Sequence, residues 1–198
     1  MSDDPVAQAI AVTRRGALIV FPTDTVYGIA AAPDDAQATT RLFDAKRRPR
    51  DLTLPILVGS MADARSVGTL DERAERLAAA LWPGPITLVV PRTARSASWE
   101  LGGDDASVGL RIPAHRLARA VLGGGPLATT SANRSGEPPA TTCDDLHAVF
   151  GDDVALYLCD DAPLAGRAST VVSLLGPEPA ILRAGDVDAE VVARLSAG

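Results

Sequence analysis

What most restricts the fold of this chain is a repeated change of period along its length. Short apolar runs alternate with segments of helical spacing, and most runs end in a turn-rich polar loop. Ala17 to Phe21 is bounded by Gly16 and Pro22, is too short for a stable helix, and reads as a buried strand. A helix from about Pro5 to Arg15 precedes it, with Asp3 or Asp4 as cap and Gly16 just beyond its end. Asp34 or Asp35 caps a second helix running to about Ala45, and a strand follows near Pro55 to Val58. Asp71 opens a helix to about Leu81 whose Ala74, Leu77, Ala78 and Leu81 share one buried face, and Trp82-Pro83-Gly84-Pro85 stops it. Ile86 to Val90, Val108 to Ile112 and Leu127 to Thr130 read as strands, with a helix from His115 to Leu122 between the last two. Leu146 to Phe150 closes a short helix, and Ala155 to Cys159, Ser169 to Leu174 and Pro179 to Leu182 read as strands. A helix from Val187 to Leu195 ends the pattern. Such alternation predicts an α/β domain, and the late strands without helices between them predict a mixed sheet.

Composition narrows the function. With 198 residues, 46% of them hydrophobic, the chain is sized for one domain with a single sizeable core. A net charge of −6 argues against a general nucleic-acid binder. The start carries two aspartates and no basic segment before an apolar run, so neither a secretory signal nor a membrane anchor is expected. Cys143 and Cys159 form no CxxC pair and read as two reduced thiols of a cytoplasmic protein. There is no GxGxxG and no GxxxxGK[ST] motif.

Against the acidic background one basic cluster stands out: Arg41, Lys46, Arg47, Arg48 and Arg50. Concentrated positive charge in a negative protein focuses the potential on a small anionic ligand. Of the 19 lysines and arginines only Lys46 is a lysine, a compact point charge able to enter a crowded phosphate site. Polar residues also gather after two apolar strands, with Thr23, Thr25 and Tyr27 after one and Ser131 and Asn133 after the other. Loops at strand ends are where α/β sheets place ligands. His115 and His147 read as helix-surface residues without a catalytic part.

Pro22-Thr23-Asp24-Thr25-Val26-Tyr27-Gly28 resembles the opening motif of the YrdC family, Lys46-Arg47-Arg48 its KxR motif, and Ser131-Ala132-Asn133 its SxN motif. Leu81 to Thr87, Val108 to Pro113, Ser169 to Val172 and Ile181 to Gly185 match further motifs in the family's order, so the resemblance spans about Gly16 to Gly185. It implies a YrdC-like domain, a twisted mixed β-sheet with flanking helices and a concave ligand cleft, in the short form without an added C-terminal domain.

The resemblance also implies an activity. Threonylcarbamoyl-AMP would form from L-threonine, bicarbonate and ATP with release of pyrophosphate, which makes the chain a nucleotidyltransferase. Mg²⁺ would accompany ATP through phosphates and water, and the product would pass to a tRNA threonylcarbamoyl-transferase complex, with at most weak RNA contact by this chain. By resemblance Lys46 and Arg48 hold the triphosphate with Arg50 at the rim, while Ser107, Ser131, Asn133, Pro139 and Arg183 complete the ATP site. Thr23, Thr129, Arg111 and Ser169 would hold threonine, with Thr25 and Tyr27 shaping the same pocket. An arginine fork matches a carboxylate bidentately, which suits Arg111 to that part. The chain departs from the family's usual pattern at Ser173, at Ala184, and at Leu57 or a near neighbour. The competing readings are a paralogue using another carbamoyl or acyl acceptor, and an RNA-binding module without catalysis.

Overall fold

The computed structural model describes residues 4–160, 164 and 166–197. Helix α1 (Pro5–Thr13) starts at Asp4, whose side chain accepts from the Val6 amide, and ends two residues earlier than the sequence suggests. Asp3, the other cap candidate, lies outside the described residues. Strand β1 (Ile19–Phe21) follows and turns back into β2 (Gly28–Ala31). Asp35 caps α2 (Ala36–Lys46), accepting from the Gln37 and Ala38 amides. Next come β3 (Ile56–Leu57), α3 (Met61–Val67), α4 (Glu72–Leu81), β4 (Ile86–Pro91) and β5 (Ser107–Arg111). Helix α5 (Arg116–Leu122), β6 (Leu127–Ser131), α6 (Cys143–Phe150), β7 (Leu156–Tyr157), β8 (Thr170–Ser173), β9 (Ala180–Arg183) and α7 (Ala189–Ala197) complete the order.

The strands form one sheet in the order β7-β1-β2-β6-β3-β5-β4-β8-β9. Pairs β1/β7, β3/β5 and β4/β8 are parallel and the others antiparallel, the mixed sheet expected. Apolar side chains leave both faces of β1: Ile19 and Phe21 join one cluster with Ala9, Val12 and Val121, while Leu18 and Val20 join another with Leu42, Ile56 and Leu77. A strand covered on both faces needs a continuous apolar run, which explains why Ala17 to Phe21 shows no polar alternation.

Three findings differ from the sequence reading. Strand β2 and helix α3 were not expected there: Gly28–Ala31 is a weak strand former and α3 has only seven residues. Cys143 and Cys159 are joined in a disulfide, with Cα atoms 5.7 Å apart, rather than standing as two reduced thiols. The return of the chain from α6 into β7 brings them together within the span a disulfide bridges. His115 is not a plain surface residue: its ring caps α5 and its Nε2 lies 3.0 Å from Asp160 Oδ2. His147 stacks on Tyr157 with ring centroids 3.8 Å apart. Among the described residues no helix is long and apolar enough to cross a membrane.

Candidate active site

A cleft of about 430 Å³ opens on one face of the sheet, within the size range of small-molecule sites. Its wall is built from strand residues and from loops at strand ends. Thr23, Thr25, Arg48, Ser107, Arg111, Thr129, Ser131, Ser169 and Arg183 all line it, although they are far apart in sequence. Three guanidinium groups therefore converge on one space.

Arg111, at the end of β5, is the most constrained of the three. Its Nε donates to the Gly84 carbonyl at 2.9 Å, Nη1 to Thr25 Oγ1 at 2.8 Å, and Nη2 to Asp24 Oδ1 at 2.6 Å. Asp24 Oδ1 also accepts from the Ala114 amide at 3.0 Å, so the ion pair is fixed from both sides and the Arg111 side chain is almost fully buried. An arginine has five N–H donors, and these contacts leave one on each terminal nitrogen. Burial lowers the Arg111 pKa, and Asp24 works against that shift.

Thr23 keeps its hydroxyl within its own loop, donating to the Val26 carbonyl at 2.6 Å and accepting from the Thr25 and Val26 amides. This turn holds Thr25 where Arg111 reaches it. A Cβ on Gly28 would come within 2.7 Å of Thr129 Cγ2, so the glycine that closes the motif makes room for Thr129 on the neighbouring strand.

Arg48 and Arg183 are held differently, by carbonyls and a hydroxyl. Arg48 donates to the Leu52 and Thr53 carbonyls at 3.2 and 3.1 Å. Arg183 donates to the Ser169 carbonyl and to Ser169 Oγ, which also pairs with Thr87 Oγ1 at 3.0 Å. Neither forms an ion pair among the described residues. Burial, then the charge of Arg183, lowers the Arg48 pKa, with Asp51 opposing. Burial, then Arg111, lowers that of Arg183. An anion entering the cleft would relieve this mutual repulsion.

The remaining expected site residues lie elsewhere. Lys46 is 1% exposed and points behind the wall, its Nζ 2.6 Å from the Ser131 carbonyl and 2.5 Å from the Asn133 carbonyl. Burial, then the charges of Arg48 and Arg134, brings its pKa down to about 7. The turn at Arg47, left-handed with φ of 51°, separates Lys46 from Arg48 and lets them point apart. Asn133 is buried beside Lys46 and donates to the Arg134 and Glu137 carbonyls. Tyr27 is fully buried, its hydroxyl accepting from the Asp160 amide at 2.9 Å. Arg50 is exposed, pairs with Asp44 and lies over the Phe43 ring. Pro139 does not line the cleft.

Sequence reasoning passed over Asp24, which orients Arg111, and Arg134, which anchors the loop after β6. Asp24 lies inside the first motif and Arg134 directly follows Ser-Ala-Asn, so their positions carried the signal. Thr53, Thr87, Val171, Leu175 and Leu182 also line the cleft without having been singled out.

The fold is thus an α/β domain whose cleft joins Arg48 and Arg183, without a carboxylate partner among the described residues, to Arg111, which is balanced by Asp24. The family model Sua5_yciO_yrdC, described as "Telomere recombination", matches residues 11–185. The chain is 40% identical over 193 residues to a putative threonylcarbamoyl-AMP synthase of Mycobacterium tuberculosis, covering 96% of this chain and 88% of that one. It is 38% identical over 180 residues to a threonylcarbamoyl-AMP synthase of Chromohalobacter salexigens, covering 88% and 95%. A crystal structure of Pyrococcus abyssi (P. abyssi) Sua5 complexed with L-threonine superposes with a TM-score of 0.90 at 34% identity, covering 96% of this chain and 56% of that one. The chain belongs to the Sua5/YciO/YrdC family.

Proposed function

We propose that this protein is a threonylcarbamoyl-AMP synthase, a nucleotidyltransferase acting on L-threonine, bicarbonate and ATP. The observation that carries the reading is the convergence of Arg48, Arg111 and Arg183 on one cleft, with direct carboxylate pairing only at Arg111 among the described residues. The threonine amine and bicarbonate give a carbamate with loss of water. A carbamate oxygen then bonds to the α-phosphorus of ATP, and the bond to the bridging oxygen breaks to release pyrophosphate. Transfer of this kind depends on positioning and on neutralising charge, which fixed guanidiniums provide.

In this reading Arg48 and Arg183 face the phosphates. Arg111, neutralised by Asp24, matches the overall neutrality of a zwitterionic amino acid and offers its two free N–H groups to the carboxylate. Thr23, Thr25, Thr129 and Ser169 line the same cleft. We assign Mg²⁺ to the nucleotide's phosphates and their water shell, where the Ser131 hydroxyl in the cleft wall is an oxygen of the right hardness. The product would be used by a separate tRNA-modifying enzyme system. Purified protein with ATP and Mg²⁺ should release pyrophosphate only when threonine and bicarbonate are both present. Release without threonine would point to another acceptor, and ATP binding without any release would point to a binding module.

A further inference from the structure

The ammonium of the only lysine of the chain is directed at protein oxygens behind the cleft wall. Three oxygens at the end of β6 and just beyond it surround its ammonium: the Ser131 carbonyl at 2.6 Å, the Asn133 carbonyl at 2.5 Å and Asn133 Oδ1 at 3.4 Å. An ammonium carries three N–H bonds; the two carbonyls take two of them at short range, and Asn133 Oδ1 is the nearest side-chain oxygen to the third. The contact is reciprocal. The Ser135 amide donates to the Lys46 carbonyl at 2.9 Å, and Arg134 Nη1 donates to the Ala45 carbonyl. Arg134 Nη2 reaches the Val149 carbonyl at 2.6 Å and so ties the same loop to α6. The end of α2 and the loop after β6 thus exchange cations for carbonyls, and Ser131 stands between Lys46 and the cleft.

We propose that Lys46 is a positioning residue: its ammonium acts as a built-in monovalent cation that sets the Ser131–Asn133 turn, and it does not itself ligate the nucleotide. The proposal rests on the reading of the cleft as a nucleotide site. A point charge can satisfy three oxygens that converge on one spot. The planar fork of arginine spreads its donors and cannot. That requirement accounts for a lone lysine in an otherwise arginine-only set.

Because the chain has one lysine, isotopic nitrogen in lysine gives a single side-chain ammonium resonance. In the free protein that signal should exchange slowly with water, and saturating ATP should move it little. Lys46→Arg should lose as much activity as Lys46→Met, on the order of 100-fold, in kcat rather than in the KM for ATP. A large shift of the resonance on ATP binding, with Lys46→Arg retaining activity, would overturn the proposal. Calorimetry separates the two readings. If ATP does not bind, the nucleotide assignment fails by itself, and the free-protein signal then decides: slow exchange upholds the clasp, and rapid exchange with solvent refutes it. The wild-type spectra answer the question even if a Lys46 variant fails to fold.

Discussion

The two ends of the cleft use the same side chain in opposite electrostatic settings. At one end Arg111 is paired with Asp24, bonded to Thr25 and Gly84, and charge-balanced by the protein itself. At the other, Arg48 and Arg183 hang from neutral oxygens, and the charges of Arg48 and of buried Lys46 oppose each other. The first end resembles a finished ion pair and the second a charge excess awaiting a partner. A folded chain tolerates such an excess when the bound state repays it, which is the pattern of a polyanion site.

The contrast can be broken most sharply at the unpaired end. Arg48→Ala should lower kcat/KM for ATP by on the order of 100-fold or more, since it removes a fixed donor from a site of developing charge. Its effect on threonine affinity, measured by calorimetry, should be small; an equal loss for both ligands would merge the two ends into one. At the paired end, Arg111→Ala should raise the threonine requirement more than the ATP requirement. It should also destabilise the fold by about 3 kcal/mol in chemical denaturation, because the half-buried Asp24 is left without its cation and the buried Arg111 side chain leaves a void.

A further prediction concerns pH. The folded-state pKa of Lys46, about 7, lies below its ordinary value of 10.5, so folding releases a proton between these limits. Stability from this group is therefore present above the upper value and is lost as pH falls toward about 7. Wild type measured against Lys46→Met should show that slope in Tm. A flat difference would mean that the carbonyl cage offsets the burial and the neighbouring charges.

Legibility in the sequence followed the range of the interactions. The polar loops after β1 and β6 were readable because turn residues interrupt apolar runs there, and Thr23, Thr25 and Ser131 do line the cleft. Caps such as Asp35 and Asp71 were readable because a side chain two or three residues away satisfies the first amides of the helix. Strand β2 was not, because Gly28–Ala31 gains its strand character from pairing with β1 and β6 on both sides. The Cys143–Cys159 bridge and the burial of Tyr27 against Asp160 likewise depend on chain segments meeting late in the fold.

By itself the sequence determined the α/β alternation, the mixed character of the sheet, and a set of cationic and hydroxyl-bearing residues suited to an anionic ligand. Tertiary structure alone decided how those residues divide the work. It placed Arg48, Arg111 and Arg183 around one cavity from three distant segments, gave Arg111 its carboxylate, and turned Lys46 away behind Ser131. The physical reason is that periodicity and capping act over a few residues, whereas the direction and charge balance of a side chain depend on which carbonyls and carboxylates the sheet order brings beside it.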